Sequence, residues 1–180
     1  DSLSDIVYSP WGDFNRKYAP WLYVYAKPTT LIKAKAAELT ANAATDDAKL
    51  RRIYDFVQKK IRNVDYDDAL SDDDREKLTF DHAEDALKAG MGNSIYIELL
   101  FASLAKASGM EANLVFASDR SQNFFHPDKY PFPSFLRLSG VAIKMDTEWR
   151  YFNVSRPYMP YGFLPWNREG VNAMLIGEDG

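Results

Sequence analysis

The stretch Leu87–Met110, "LKAGMGNSIYIELLFASLAKASGM", constrains the fold of this chain more than any other. Glycines at 90 and 92 make a turn, and a helical pattern starts behind it. Tyr96, Leu99, Leu100, Ser103, Leu104 and Ala107 fall on one face of a helix expected over 94–108. Gly109 then stands where a left-handed residue closes such a helix. A helix this apolar needs a partner layer to cover it. It also presents a hydroxyl, Ser94, at its N-terminus, where acyl-transfer enzymes hold their nucleophiles.

The flanking patterns supply the partner layers. Residues 29–42 are rich in the good helix formers Ala, Lys, Leu and Glu. A second helix is expected over 46–62 behind Thr45 as N-cap, with Leu50, Ile53, Tyr54, Val57 and Ile61 facing the core. A short helix follows over 83–88, with Asp81 near its cap and His82 in its first turn. Downstream, "EANLVFAS" (111–118) alternates as a strand does, and two further strands are expected over 137–145 and 148–154 around a tight turn at Asp146–Thr147. Helices first and an antiparallel sheet afterwards define an α+β arrangement. A length of 180 residues suits one domain with a proper core. That domain spans 29–180, preceded by an aromatic-rich lead-in over 1–28.

Three segments carry no regular pattern. The lead-in holds Tyr8, Trp11, Phe14, Tyr18, Trp21, Tyr23 and Tyr25, and prolines at 10, 20 and 28 cut it into short pieces whose rings pack on the domain. The tract 65–76 has seven acids against one Arg, and it lacks the Gly and closing Glu of a calcium loop, so it reads as a solvated acidic loop. Residues 120–135 form a loop loaded with Phe124, Phe125, His126, Tyr130 and Phe132. The Pro- and aromatic-rich C-terminal stretch is expected to be mostly extended.

What the chain lacks narrows the chemistry. It has no cysteine, which removes disulfides, thiolate metal sites and a cysteine nucleophile together. Two histidines, His82 and His126, make a His-rich metal site improbable, and neither a metal nor a cofactor is expected. The net charge of -4 disfavours nucleic acid as a partner. No apolar run approaches the roughly 18 residues that span a membrane. The first residues, "DSLSDIVYSP", do not read as a signal peptide, and the abrupt ends suggest a piece of a longer chain with flanking domains.

Three local phrases resemble the transglutaminase-like core of the papain-like fold group. "AKLRRIYDFVQKKIRNVDY" is similar to the family's helix before the active site. "AEDALKAGMGNSIYIELLFASLAKASGMEANLVFAS" is similar to its nucleophile segment, usually "A-x-x-V-L-x-x-G-x-G-D-C-x-D-x-A-x-L-L-x-A-L-L-R-A-x-G-I-P-A-x-L-V". "WRYFNVSRPYMPYGFLPW" is similar to its last strand and exit. The C-terminal phrase and the lead-in point towards bacterial members that carry a domain of unknown function ahead of this core. The resemblance implies N-terminal helices packed on a small antiparallel sheet, and a Cys–His–Asp triad. It also suggests an exported, periplasmic setting, since relatives often are.

Carried over position by position, the Cys falls on Ser94, the His on Gly140 and the Asp on Asn153. Nucleophile, base and orienter are thus all replaced, and a serine hydroxyl without imidazole is a weak nucleophile. The expectation is a pseudoenzyme that binds a protein, peptide or glycan, or serves as a structural module of a larger bacterial protein. Asn93, Ser94, Phe124, Phe125, Tyr130, Trp149 and Trp166 are the residues expected at its cleft. The alternative is a serine hydrolase in which His126 acts on Ser94. Glu98, one turn along the helix from Ser94, is expected to face solvent.

Overall fold

A computed structural model describes residues 10–123, 125, 126 and 133–177. The chain runs through α1 (Pro10–Tyr18), a π-helical turn (Trp21–Tyr25), α2 (Thr30–Thr40), α3 (Asp46–Lys60) and β1 (Arg62–Asn63). A 3-10 turn (Val64–Tyr66), α4 (Asp72–Glu76), α5 (Ala83–Ala89), β2 (Met91–Gly92) and α6 (Ser94–Ala107) follow. Next come β3 (Ala112–Ala117), a 3-10 turn (Pro133–Phe135), β4 (Arg137–Met145), β5 (Glu148–Phe152), a 3-10 turn (Trp166–Arg168) and β6 (Ala173–Ile176). Strands β5-β4-β3-β6 form one antiparallel sheet, and β1 pairs with β2 in a separate parallel ladder of two residues each. This is the α+β, papain-like arrangement. Among the described residues no helix is long and apolar enough to cross a membrane.

Capping explains where the helices start. Thr29 accepts from the Ile32 N–H at 3.4 Å, and Thr45 accepts from the Ala48 N–H at 3.2 Å. All five expected core residues of α3 are buried. Helix α6 is the axis of the domain. Every residue from Ile97 to Ala105 is buried, because α2, α3, α5 and the π-helical turn cover one side and the sheet covers the other. Phe101 packs edge-on to Phe152 at 5.7 Å, which fixes the α6-facing side of the sheet. On that side β3 and β4 place Leu114, Phe116, Val141 and Ile143, while Val115 and Ala117 turn to the opposite face.

Pro20 divides the lead-in into α1 and the π-helical turn. Pro10 opens a continuous nine-residue helix, a position where its missing N–H costs nothing. Phe14 and Leu22 are buried in the main core, and Phe14, Tyr18 and Trp21 all make ring contacts with Phe116. Tyr8 lies outside the described residues. The acidic tract is also more ordered than a solvated loop. Ser71 caps α4 by accepting from the Asp74 N–H at 3.2 Å, and Asp72, Asp73 and Asp74 fill its first turn, where the helix dipole favours them. His82 is the N-cap of α5 rather than a first-turn residue, and the N–H groups of Asp81 and His82 both donate to Asp85. The C-terminal stretch contributes a strand, β6, which pairs antiparallel with β3.

Candidate functional site

The turn before α6 is built by close approach. Gly90 ends α5 at φ +64°, the left-handed conformation that glycine adopts freely. A side chain at Gly92 would meet the Ala86 Cβ at 3.1 Å and Ile97 at 3.3 Å, so α5, β2 and α6 pack with no room between them. The β1–β2 ladder sets Asn63 beside Gly92. That pairing carries Asn63 and the following Asp65 up to the start of α6.

Ser94 is held from both sides. Its hydroxyl donates to Asp65 Oδ2 at 2.7 Å, and its backbone N–H donates to the same oxygen at 2.8 Å. Asn63 Nδ2 donates to the Ser94 Oγ at 3.1 Å and to the Ser155 carbonyl at 2.7 Å. Asn93 is the N-cap, accepting from the Tyr96 N–H at 3.0 Å. A carboxylate at a helix N-terminus also gains from the dipole. Asp65 therefore serves as a second cap, with the Ser94 hydroxyl folded into it.

The strands opposite pack tightly around Gly140. The β3–β4 register slips by one residue, because Val115 pairs with Gly140 while Phe116 pairs with Leu138. Ser139 is the extra residue of a β-bulge. Gly140 sits at φ +151°, and a Cβ built on it would lie 2.1 Å from the Phe152 carbonyl oxygen. No side chain of any kind fits there without moving β5. Asn153 donates to the Ser139 carbonyl at 2.9 Å and to Glu98 Oε1 at 3.2 Å. It ties β4 and the end of β5 to α6.

Glu98 corrects the expectation of a solvent-facing carboxylate. It is 2% exposed, since α6 is surrounded on all sides and this position faces the chain leaving β5. Oε1 accepts from the Ser155 N–H at 2.9 Å, and Oε2 is buried without a hydrogen-bond partner among the described residues. Burial pushes the Glu98 carboxyl up to about 7, with donors from Ser155 and the Val154 backbone offsetting part of that rise. The family phrase quoted above has Ala at this place.

A cleft of about 400 Å³ is lined among others by Asn63, Tyr66, Asp67, Asp68, Ser155 and Tyr158; Asn93 and Ser94 do not line it, and Ser94 adjoins it through its bond from Asn63. Tyr158 is 97% exposed and held at φ +63°, and Tyr66 is 53% exposed. None of Phe125, Trp149 and Trp166 lines this cleft. Phe125 is buried in the core. Trp149 lies under the Lys144 ammonium at 5.9 Å, and the exposed Trp166 lies under the Arg120 guanidinium at 5.5 Å. Phe124 and Tyr130 lie outside the described residues. His126 is half-buried, and the side-chain hydrogen bonds described at Ser94 go to Asp65 and Asn63. Asn63, Asp65, Tyr66, Glu98 and Tyr158 were not among the expected site residues. The phrase "RNVDY" directly after an amphipathic helix was the available signal for the first three. Among the described residues, no group of three His, Cys, Asp or Glu is placed to hold a metal ion.

A papain-like α+β core with a capped helix N-terminus facing two strands defines the class. The family model of the transglutaminase-like superfamily matches residues 33–154, and the chain belongs to that superfamily. Comparison with curated proteins yields no match. Among solved structures, a candidate protease from Parabacteroides distasonis is similar, with a TM-score of 0.52 and 14% identity. The similarity covers 76% of this chain and 26% of that protein, so the chain spans about a quarter of its length. At this identity the likeness is one of fold.

Proposed function

We propose that this domain is a catalytically silent member of its superfamily that binds a peptide or glycan in the cleft beside Ser94. The observation that carries the reading is Gly140, where the base would stand and where no side chain has room. The Ser94 hydroxyl engaged by Asp65 and Asn63, and Asn153 turned onto Glu98, support it. Exposed Tyr66 and Tyr158 offer flat apolar surface with a polar edge, the kind of surface that sugar rings and peptide side chains stack on. The strained backbone of Tyr158 fits a residue kept for contact rather than for packing. The wider setting in this reading is a module of a longer, exported bacterial protein, which rests on the family resemblance.

The test is a peptide and glycan array probed with wild type and with Tyr158→Ala. Selective binding that the substitution removes is the expected result. Binding that is absent, or indifferent to both Tyr158→Ala and Tyr66→Ala, sinks the proposal.

A second reading, a serine hydrolase using Ser94, draws on the 2.7 Å contact between Ser94 and Asp65, with the carboxylate rather than His126 as proton acceptor. It requires hydrolysis of an ester or amide substrate that Ser94→Ala abolishes.

A further inference from the structure

A second cavity lies on the outer face of the sheet and reaches Ser139, Gly140 and Phe152 at one end. Its floor is the outer face of the strands, with Val115 and Ala117 from β3 and Ala173 and Leu175 from β6. Its roof is the segment 164–172, which crosses the sheet on its way into β6. The volume is about 330 Å³, within the range of small-molecule sites. Small residues at 117, 140 and 173 give the floor its depth.

The roof is pinned in place. Asn167 donates to Asp119 Oδ2 at 2.6 Å, the Arg120 N–H donates to the Asn167 carbonyl at 3.1 Å, and Arg120 Nη1 donates to the Glu169 carbonyl at 2.9 Å. The cavity is thus formed before any ligand arrives, which lowers the ordering cost of binding.

One wall is a cation short of partners. Arg168 lines the cavity with its side chain 20% exposed. Of the five N–H donors of a guanidinium, one makes a hydrogen bond among the described residues, Nη1 to the Ala117 carbonyl at 3.1 Å. Its nearest carboxylate, Asp119, stands 3.9 Å from Nη2 and already accepts from Asn167 and Ser121. Burial lowers the Arg168 pKa, Asp119 offsets part of that, and the neighbouring Arg137 lowers it further. Arg137, whose guanidinium donates to the Ser134 and Leu136 carbonyls, adds a second positive charge near this end.

We propose that this cavity binds a small carboxylate with an apolar body, its carboxylate on the guanidinium of Arg168 and its body on Val115, Ala173 and Leu175. A carboxylate meets the open N–H donors of Arg168 with charge-assisted hydrogen bonds. Asp119 limits the site to a single negative charge, which disfavours a phosphate dianion. The same chemistry is offered by a free aliphatic acid and by the C-terminal residue of a peptide.

Isothermal titration of the full chain with octanoate, octanol and N-acetyl-leucine tests this. Octanoate, N-acetyl-leucine or both are expected to bind, and which of them does so identifies the source. Octanol is expected to bind about tenfold or more weakly than octanoate. Arg168→Met is expected to remove that preference, and Arg168→Lys to restore part of it. Ala173→Trp fills the cavity from an exposed edge position without disturbing the core, and is expected to abolish binding. The proposal is overturned if neither carboxylate binds, if octanol binds as well as octanoate, or if Ala173→Trp leaves the affinity unchanged.

Discussion

The two sides of the site are held together in different ways. On the helix side, Gly90, Gly92, Asn93 and α6 keep a turn and a capped N-terminus whose geometry would suit a nucleophile. On the strand side, Gly140 sits in a bulge and Asn153 braces β4 against α6. The helix side is held by packing, because α6 is the axis of the core and its start cannot move independently. The strand side is held by backbone contacts, the bulge at Ser139–Gly140 and the Asn153 bonds, and carries no imidazole at Gly140. Under the function proposed above, a scaffold outlasts its chemistry where the scaffold is also the core.

The contrast predicts unequal responses to restoring the family residues. Gly140→His is expected to be the most damaging, since its Cβ would overlap the Phe152 carbonyl oxygen. A loss of about 3 kcal/mol or more in denaturant unfolding is the expected outcome. Stability within about 1 kcal/mol of wild type would show that β5 yields readily, and would break the contrast.

Glu98 gives the next largest effect, and it depends on pH. Its carboxyl is raised to about 7 in the folded chain, from an ordinary glutamate value near 4.5. Below pH 4.5 both states hold the proton and the stabilisation it brings is fully present. Between about 4.5 and 7 the unfolded chain releases its proton while the folded one keeps it, so stability falls, and above 7 it levels off. The loss amounts to roughly 3 kcal/mol. Glu98→Gln should flatten that part of the stability–pH curve, and an unchanged curve would remove the buried carboxyl from the account.

Asn63→Ala comes third. It breaks the link from β1 to Ser94 and to the Ser155 carbonyl, and is expected to cost about 1–2 kcal/mol. Ser94→Ala is the mildest, at about 1 kcal/mol or less, because the Ser94 N–H still donates to Asp65. A larger loss for Ser94→Ala than for Asn63→Ala would reverse the order of the two contacts.

Much of the fold was legible because it rests on local periodicity. The buried face of α3, the cap at Thr45, Gly109 at φ +87° and the β4–β5 hairpin all follow from residues close in sequence. What escaped depends on distant partners. Glu98 is buried by residues more than fifty positions away, at Asn153 and Ser155. Asp65 belongs to a tract whose charge suggested solvent, yet it caps a helix that starts 29 residues later. Strand β6 has four residues and exists by pairing with β3. Gly140 could be read as a missing side chain, but the bulge that excludes any side chain there has no sequence signature of its own.

The claim that the site has lost its chemistry is tested most directly by intact-mass analysis after incubation with a fluorophosphonate at neutral pH. The account predicts an unmodified wild-type chain, indistinguishable from Ser94→Ala. Stoichiometric labelling that maps to Ser94 and disappears in Ser94→Ala would contradict it.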